Sequence, residues 1–216
     1  MNTVALEEIG AGFSNESIGS QQVFRAVLEA LSRPGLPVAL THDAEAPTQG
    51  HASSAALLLA LLDPDCQLWL SPSLLASTAP TWLRFHTGCV VVDDPSVANF
   101  LWFHQDDALI DFSQFSLGTE SYPDHSATVV VDMAEQPETA SRRPALLLAG
   151  PGIKDQIELA LDGLKDESFE TLLNGIKANR LSFPRGVDVL LTKPTQITGL
   201  ARTTFLLTEQ GVKPCM

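Results

Sequence analysis

Short apolar runs bounded by polar or turn-forming residues constrain the fold of this chain more than any other feature of its sequence. Each run is too short for a helix of ordinary length and is rich in Val, Leu or aromatic residues, which is typical of largely buried β-strands. The runs that predict strands are LPVAL, CQLWL, CVVVDD, SATVVVDMA, PALLLAG, GVDVLLT and TTFLLT. We expect SATVVVDMA and PALLLAG to pair as neighbours across the polar segment between them.

Helical segments lie between these runs. Ser20 is a candidate N-cap for a helix through QQVFRAVLEALS, and ASSAALLLALLD predicts a helix that is buried almost all round. A third helix is expected from Ser77 or Thr78 to Gly88, a fourth from the proline of PSVANFLWFH, and a fifth over DESFETLLNGIKANR. The residues expected on the inner face of the first helix are Val23, Phe24, Val27, Leu28 and Leu31.

The order of these elements predicts the fold class. Helices alternate with strands in the first half of the chain, and strands cluster in the second half, which favours an α/β fold with a mixed β-sheet flanked by helices. A chain of 216 residues is long enough for one sizeable domain. We therefore expect residues 1–216 to form a single domain, with about 12 N-terminal and about 8 C-terminal residues flexible.

The composition excludes several classes of function. The 26 acidic residues exceed the 13 basic ones, so the formal net charge of −13 opposes nonspecific attraction to nucleic acid or to anionic lipid. No apolar stretch reaches membrane-spanning length, and the N-terminus is acidic where a signal peptide is basic, which predicts a cytoplasmic protein. The three cysteines contain no CxxC pair and the histidines lack ligand spacing, so neither a disulfide framework nor a metal site is predicted.

The turn Gly150-Pro151-Gly152 is the first candidate for a binding site. Glycine tolerates positive φ and lets backbone N–H groups converge on an anion, and a helix expected to start near Ile153 would add its positive end. The turn lacks the lysine and hydroxyl of a Walker loop and the third glycine of a dinucleotide fingerprint. Gly150 and Gly152 are therefore predicted either to contact an anionic ligand or only to turn the chain.

Two arginine-containing segments are the other binding candidates. Guanidinium and hydroxyl groups can hold phosphate oxygens, but a tight turn with solvated charges and ordinary strand threonines would account for the same residues. The residues that these segments add to the predicted ligand site are Arg185, Arg202, Thr203 and Thr204. We expect residues 150–153, 185–188 and 202–204 to meet at one edge of the sheet, because strand ends gather there.

No catalytic residue can be assigned from the sequence. His86, at the end of its predicted helix, and Asp188 are weak candidates for a general acid or base. Attraction to the negative end of the helix dipole explains a histidine at that position equally well. The sequence contains no nucleophile elbow of the GxSxG type.

Six segments, taken in order along the chain, resemble one family. They are SQQVFRAVLEALSRPG, WLRFHTG, YPDHSATVVV, LLLAGPGI, FPRGVDVLLT and GLARTT, and together they span nearly the whole chain. They resemble PhnH, a subunit of the bacterial carbon–phosphorus lyase system for phosphonate use. The family has a proline before the arginine of its last motif, where this chain has Ala201.

The resemblance implies a fold like the large domain of pyridoxal-phosphate-dependent transferases, in a version without the cofactor, and we expect no cofactor here. It also implies other carbon–phosphorus lyase subunits as partners, in an assembly that transfers an alkylphosphonate to the ribose C1 of a purine nucleoside triphosphate. A phosphonate or nucleotide ligand is expected on that basis. A homodimer of the isolated chain is expected as well, because an Ala- and Leu-rich chain leaves apolar surface to cover. A non-catalytic scaffolding subunit and a free-standing small-molecule transferase are the alternatives.

Overall fold

The computed structural model describes residues 9–135 and 144–207 as helices, strands and connecting loops. The helices are α1 (Glu16–Ser32), α2 (Ala52–Leu61), α3 (Pro72–Leu75), α4 (Ala79–Thr87) and α5 (Asp166–Ser182). The strands are β1 (Pro37–Ala39), β2 (Gln67–Leu70), β3 (Val90–Val91), β4 (Phe100–Phe103), β5 (Thr128–Asp132), β6 (Leu146–Ala149), β7 (Ile157–Leu159), β8 (Asp188–Lys193), β9 (Gln196–Leu200) and β10 (Phe205–Leu206). Short 3-10 turns cover Pro95–Val97, Phe112–Gln114 and Pro123–His125.

Seven strands form a mixed sheet in the order β1-β9-β8-β5-β4-β2-β3. Strands β8, β5, β4, β2 and β3 run parallel, whereas β9 is antiparallel to both of its neighbours, β8 and β1. A separate antiparallel sheet of three strands has the order β10-β6-β7. The predicted α/β class, with a mixed sheet and flanking helices, is confirmed.

Two apolar cores lie on the two faces of the seven-stranded sheet. The first includes Val130, Leu190 and Ile197 of the sheet with Val27 of α1 and Leu58 of α2. The second includes Val129 and Leu191 of the sheet with Leu172 and Ile176 of α5 and Leu148 of the small sheet. Neighbouring residues of one strand point to opposite faces, so Val129 and Val130 belong to different cores. The sheet is therefore the middle of three layers.

The segment PSVANFLWFH forms a turn and a strand and not the predicted helix. Its proline begins the 3-10 turn Pro95–Val97, and β4 lies between β2 and β5 inside the sheet. Leu101, Trp102 and Phe103 are fully buried. A strand buried on both faces has no alternation of polar and apolar residues, so its apolar run cannot be told from that of a buried helix by pattern alone.

The residues after Gly150 likewise form a strand and not the predicted helix near Ile153. Asp155 has a φ of 63°, and Gly150 and Gly152 have φ values of 143° and 84°, so this backbone cannot follow a right-handed helix. It turns back instead, and β7 pairs with β6. Because β6 has β7 and β10 as its partners, the predicted pairing of SATVVVDMA with PALLLAG is wrong.

Helix α1 begins earlier and is more exposed than its apolar pattern predicts. It starts at Glu16, and its N-cap is Asn15 rather than Ser20. Of the residues expected on its inner face, Phe24 and Leu28 are 46% and 51% exposed. The other predicted helices and strands are present, with bounds that differ by a few residues.

Candidate functional site

The glycine and arginine segments singled out in the sequence meet at one edge of the seven-stranded sheet. A Cβ atom on Gly150 would lie 2.9 Å from the carbonyl oxygen of Thr203. A Cβ atom on Gly186 would lie 3.3 Å from Cβ of Arg202. The expected convergence in space is therefore observed, while ligand binding by these residues stays a prediction.

This meeting point lies where the parallel strands begin. Asp188 is the first residue of β8 and is in register with Thr128, the first residue of β5. We refer to residues 150–152, 185–188 and 201–204 together as the amino-edge cluster. Ligands of open α/β sheets usually bind at the opposite, carboxyl ends of the strands. The cluster thus does not occupy the customary ligand position of this fold class.

The guanidinium group of Arg202 is held by two neighbours within the fold. Its Nε lies 3.3 Å from Asp188 Oδ1, its Nη2 donates to Asp188 Oδ2, and its Nη1 donates to the carbonyl oxygen of Pro123. The backbone N–H of Arg202 also donates to Asp188 Oδ1, at 2.7 Å. The two side chains are only 18% and 19% exposed, so this ion pair is partly shielded from water. Removing either partner would leave the other without its counter-charge.

Asn179 of α5 fixes the backbone just before β8. Its Nδ2 donates to the carbonyl oxygen of Val187 at 2.8 Å, and its Oδ1 accepts from the Val187 N–H at 2.9 Å. Gly186 has a φ of 146°, and a Cβ atom there would lie 2.7 Å from Asn179 Oδ1, so the position requires glycine. Sequence reasoning missed Asn179, because nothing local separates this buried amide from the exposed polar residues of α5.

The end of α1 and a loop before β5 close around the cluster. A Cβ atom on Gly152 would lie 2.1 Å from the carbonyl oxygen of Ser32, and the N–H of Gly186 donates to the carbonyl oxygen of Leu117 at 3.0 Å. Five of the six family-like segments therefore meet here. The sixth, WLRFHTG, lies on α4, which packs against α2, α3 and β3.

Positive charge and an unpaired hydroxyl are concentrated in and beside the cluster. Within the described residues, the half-buried Arg185 guanidinium has no hydrogen-bond or ion-pair partner, and the buried Thr204 Oγ1 has no hydrogen-bond partner. The guanidinium of Arg180 lies 3.9 Å from the centre of the Phe205 ring, a cation–π contact. Arg180 and Arg185 therefore contribute charge that no carboxylate in the described ranges neutralises by a salt bridge.

His86 makes its contacts elsewhere. Its Nε2 lies 2.9 Å from the carbonyl oxygen of Gly10, and its ring lies edge-on to Trp82 and Phe85 with centroid distances of 5.0 Å. The structure does not bring His86 and Asp188, the two weak acid–base candidates, to one place. Gly10 belongs to the N-terminal stretch that was expected to be flexible.

The prediction of two flexible ends falls largely on residues 1–8 and 208–216, which lie outside the described part of the chain.

Asp132 is a buried carboxylate that sequence reasoning overlooked. Four groups surround it, on α2 and on the neighbouring strands. Its Oδ1 lies 2.5 Å from Ser54 Oγ, 2.9 Å from Trp102 Nε1 and 3.0 Å from Thr192 Oγ1. Its Oδ2 accepts from the N–H of His51 at 3.0 Å. The available signal was a lone aspartate at the end of the valine run of β5, at the carboxyl edge of the sheet.

The surroundings of Asp132 and Lys165 do not suit the two groups that would hold pyridoxal phosphate. The cofactor requires a Schiff-base lysine and a carboxylate that can face the pyridinium nitrogen. Asp132 already accepts hydrogen bonds from groups of the fold at both oxygens, with three contacts at Oδ1 and one at Oδ2. Of the lysines in the described ranges, Lys165 donates from Nζ to the carbonyl oxygen of Asp106 at the surface.

A small polar cleft lies at the start of α1. It has a volume of about 260 Å³ and is lined in part by Ser14, Gln22 and His42. Burial lowers the pKa of His42 below its ordinary value, and the neighbouring Asp43 carboxylate opposes part of that shift. The cleft contains none of the residues of the amino-edge cluster.

Residues 9–135 and 144–207 contain neither a metal-binding cluster nor a helix that could cross a membrane. There, no three His, Cys, Asp or Glu side chains are grouped so that they could hold a metal ion. None of the helices in these ranges has the length and apolar character needed to cross a membrane.

The architecture and the cluster define the class of protein: a three-layer α/β protein whose candidate site is built from arginine, threonine and glycine. Residues 11–206 match the family described as "Bacterial phosphonate metabolism protein (PhnH)", and the chain belongs to that family. It is also 39% identical to the "Alpha-D-ribose 1-methylphosphonate 5-triphosphate synthase subunit PhnH" of Rhizobium meliloti (strain 1021). That match extends over 197 residues and covers 91% of this chain and 94% of the relative. The predicted family resemblance is confirmed.

Proposed function

We propose that this chain is a subunit of an α-D-ribose 1-methylphosphonate 5-triphosphate synthase in the carbon–phosphorus lyase pathway of phosphonate catabolism. The observation that carries this proposal is the 39% identity to a synthase subunit over 91% of the chain. The assembly would join an alkylphosphonate to the ribose C1 of a purine nucleoside triphosphate. Its partners are the other subunits of that assembly, and its location is the cytoplasm.

The amino-edge cluster is the ligand-contacting region in this proposal. Phosphonate and triphosphate groups carry several negative charges, and a chain of net charge −13 repels them unless positive groups are gathered locally. Arg180 and Arg185 are such groups, and the Thr204 hydroxyl and the turn around Gly150 lie beside them. The Arg202–Asp188 pair holds the turn in place and is a positioning element.

Replacing Arg185 tests this assignment. Arg185→Ala removes a guanidinium that forms no hydrogen bond or ion pair with residues 9–135 and 144–207, so we expect unchanged recovery of the assembled complex. Product formation should fall about tenfold or more, because a charge-assisted contact to an anionic ligand is lost. The measurement is the rate of formation of the ribose phosphonate product by the complex, followed by phosphorus NMR.

Arg25→Ala is the matched control, since Arg25 is an exposed arginine in the middle of α1 and is not among the cluster residues. A wild-type rate for Arg185→Ala would remove that residue from the ligand site. Arg202→Ala is a poorer probe, because it strips Asp188 of its partner and disturbs the fold as well as any ligand contact.

A non-catalytic scaffolding subunit is the second candidate function. The observation that favours it is that Arg202 and Asp188, the charged centre of the cluster, form their hydrogen bonds within the fold. This alternative expects no heat of binding when the isolated chain is titrated with methylphosphonate and a purine nucleoside triphosphate. Micromolar binding of either compound by calorimetry would argue strongly against it.

We also propose that the seven-stranded layer is a version of the large domain of pyridoxal-phosphate-dependent transferases that has no use for the cofactor. Its support is the mixed sheet covered on both faces and the engagement of the buried Asp132 by donors of the fold. An absorbance band near that of a pyridoxal Schiff base in the purified protein would contradict it.

A further inference from the structure

Two cysteines lie side by side where neighbouring parallel strands begin. Cys66 directly precedes β2, and Cys89 directly precedes β3. The first register pair of these two strands is Gln67 with Val90, so the cysteines occupy the pair of positions just before it. The N–H of Val90 donates to the carbonyl oxygen of Cys66 at 3.0 Å, which holds the two backbones together at this level. Both cysteines are free thiols and are not part of a disulfide.

The two cysteine side chains lie on the same face of the sheet. Cys89 belongs to the apolar core on the side of α1 and α2, and Cys66 packs against that core. Leu68, two residues after Cys66, also belongs to it, as the alternation of side chains along a strand requires. Adjacent strands lie about 4.8 Å apart, and disulfides join residues whose Cα atoms are about 4.4–6.8 Å apart. Backbone spacing and side-chain direction therefore both suit a bond between the two Sγ atoms.

Small molecules in solution have a route to this pair of cysteines. Cys66 is only partly buried. Cys89 lines, together with Arg84 and Phe85, an open cleft of about 650 Å³. Hydrogen peroxide is little larger than water, so it can enter that cleft. A second thiol beside the first is what turns an oxidised cysteine into a disulfide before it is oxidised further.

The surroundings of the two thiols make them slow to react. Burial raises the pKa of the Cys66 thiol above its ordinary value. Burial also raises the pKa of the Cys89 thiol, although a hydrogen bond with Thr87 and the charge of Arg84 oppose part of that shift. The thiolate is the reacting form of cysteine, so this pair responds to sustained oxidant and does not act as a fast catalytic thiol.

We propose that Cys66 and Cys89 form a site of reversible oxidative modification, at which hydrogen peroxide converts the two thiols into a disulfide. The thiolate of one cysteine attacks a peroxide oxygen, which breaks the O–O bond and gives a sulfenic acid and one molecule of water. The thiolate of the other cysteine attacks the sulfenic sulfur and displaces hydroxide, which leaves as a second molecule of water. Two electrons thus pass from the two sulfur atoms to the peroxide, and a dithiol reductant reverses the change.

The disulfide cross-links the edge strand β3 to the rest of the sheet. Strand β3 has two residues, and β2 is its neighbour at this end of the strand order. The loop that the bond closes contains α3 and α4. A cross-link restricts the opened state of such a segment, so local opening of β3 becomes rarer. The inference does not depend on the proposed enzymatic function or on any ligand.

Peptide mapping of the full chain tests whether the bond forms. The dilute protein is incubated with hydrogen peroxide at about pH 8.5, where the thiolate fraction is larger, then alkylated under denaturing conditions and digested with trypsin without reduction. Cleavage after Arg84 separates the two cysteines. We expect two peptides joined through Cys66 and Cys89, two hydrogen atoms lighter than the reduced pair, and separated by dithiothreitol. Cys215→Ser, which removes the remaining cysteine of the chain, is the matched control and should form the same cross-link.

Three results of the mapping would overturn the proposal. They are thiols that stay reduced, sulfinic or sulfonic acid at either cysteine without a cross-link, and disulfides that involve Cys215 or join two chains.

Hydrogen exchange of the Val90 and Val92 N–H groups, which donate to Cys66 and Leu68, tests the effect on β3. We expect exchange in the oxidised chain to be about tenfold or more slower than in the reduced chain, and to recover on reduction. Cys89→Ala cannot form the bond, so the same peroxide treatment should leave its exchange rates unchanged. Equal rates for the cross-linked and reduced wild type would contradict the proposed restriction of β3.

Discussion

Asp132 shows how one residue can organise an edge of the sheet. Helix α2 lacks a side-chain N-cap of its own, and the N–H of its first flanking residue, His51, is instead satisfied by the carboxylate of Asp132 on β5. A negative charge at a helix N-terminus is favourable, because it faces the positive end of the helix dipole. The same carboxylate accepts from Trp102 of β4, Ser54 of α2 and Thr192 of β8, so three elements depend on it.

Removing the Asp132 carboxylate should destabilise the folded protein. Asp132→Ala leaves the Trp102 Nε1–H and the His51 N–H without their acceptor and takes from Ser54 one of its two acceptors, so we expect the free energy of unfolding to fall by about 3–5 kcal/mol. Trp102→Phe removes one donor and keeps the rest, and should cost about 1–2 kcal/mol. Urea unfolding followed by circular dichroism measures both. A loss below about 1 kcal/mol for Asp132→Ala would show that the fold does not need this charge.

At the scale of the element, the sequence predicted the helix ends and strands that depend on neighbouring residues of the chain. Gly88 is the C-cap of helix α4: it has a left-handed φ of 74°, and its N–H donates to the carbonyl oxygen of Arg84. The sequence predicted that the helix would stop at this glycine. Strand β9 was missed because Gly199 interrupts its pattern. A Cβ atom there would lie 2.5 Å from the carbonyl oxygen of Ala30 in α1, so that glycine reflects close packing between distant segments and not a turn.

The short helix α3 depends on a carboxylate from another element. Asp107, in the loop after β4, accepts from the Ser73 N–H at 2.9 Å and from Ser73 Oγ at 2.7 Å. Burial raises the pKa of Asp107, but hydrogen bonds from Ser71 and Ser73 outweigh it and hold the pKa below its ordinary value. A carboxyl whose pKa is lower in the folded state stabilises that state above the unfolded pKa of about 4, and loses this contribution as pH falls through the folded value.

We therefore expect Asp107→Asn to destabilise the protein by about 0.5–1.5 kcal/mol at pH 7. The difference from wild type should hold between pH 6 and 8 and shrink as pH falls below about 4. Urea titrations at a series of pH values measure it. Asp65→Asn, at an exposed aspartate, is the control for the loss of one negative charge and should destabilise the protein less at pH 7. A difference that grows in acid would contradict the assignment.

At the scale of the whole molecule, the sequence predicted which segments meet but not what they do on meeting. Separate glycine and arginine segments were expected at one sheet edge, and the contacts of Gly150 with Thr203 and of Gly186 with Arg202 place them there. The pairing of Asp188 with Arg202, and the lack of a partner for Arg185 in the described part of the chain, depend on side-chain geometry fixed by α5 and by the loop before β5. No spacing along the chain encodes that geometry.

The contact between the turn at Gly152 and the end of α1 can be tested by comparing two substitutions in that turn. Gly152 has a φ of 84°, and a Cβ atom there would meet the carbonyl oxygen of Ser32 at 2.1 Å, so Gly152→Ala should lower the free energy of unfolding by about 2–4 kcal/mol. Asp155 also has a positive φ, of 63°, and Asp155→Gly should stay within about 0.5 kcal/mol of wild type or stabilise. Thermal unfolding compares them, and equal losses for both variants would show that the contact with α1 is unimportant.

Strand β1 has β9 as its partner in the sheet, so residues 37–39 pair with residues 196–198, far along the chain. During synthesis on the ribosome, β1 has no strand to dock on until residues 196–200 have emerged. Helix α1, which rests on the same late strand, must wait with it. Residues 16–39 are thus secured only after β9 has been made, and in that interval they are open to chaperones and proteases.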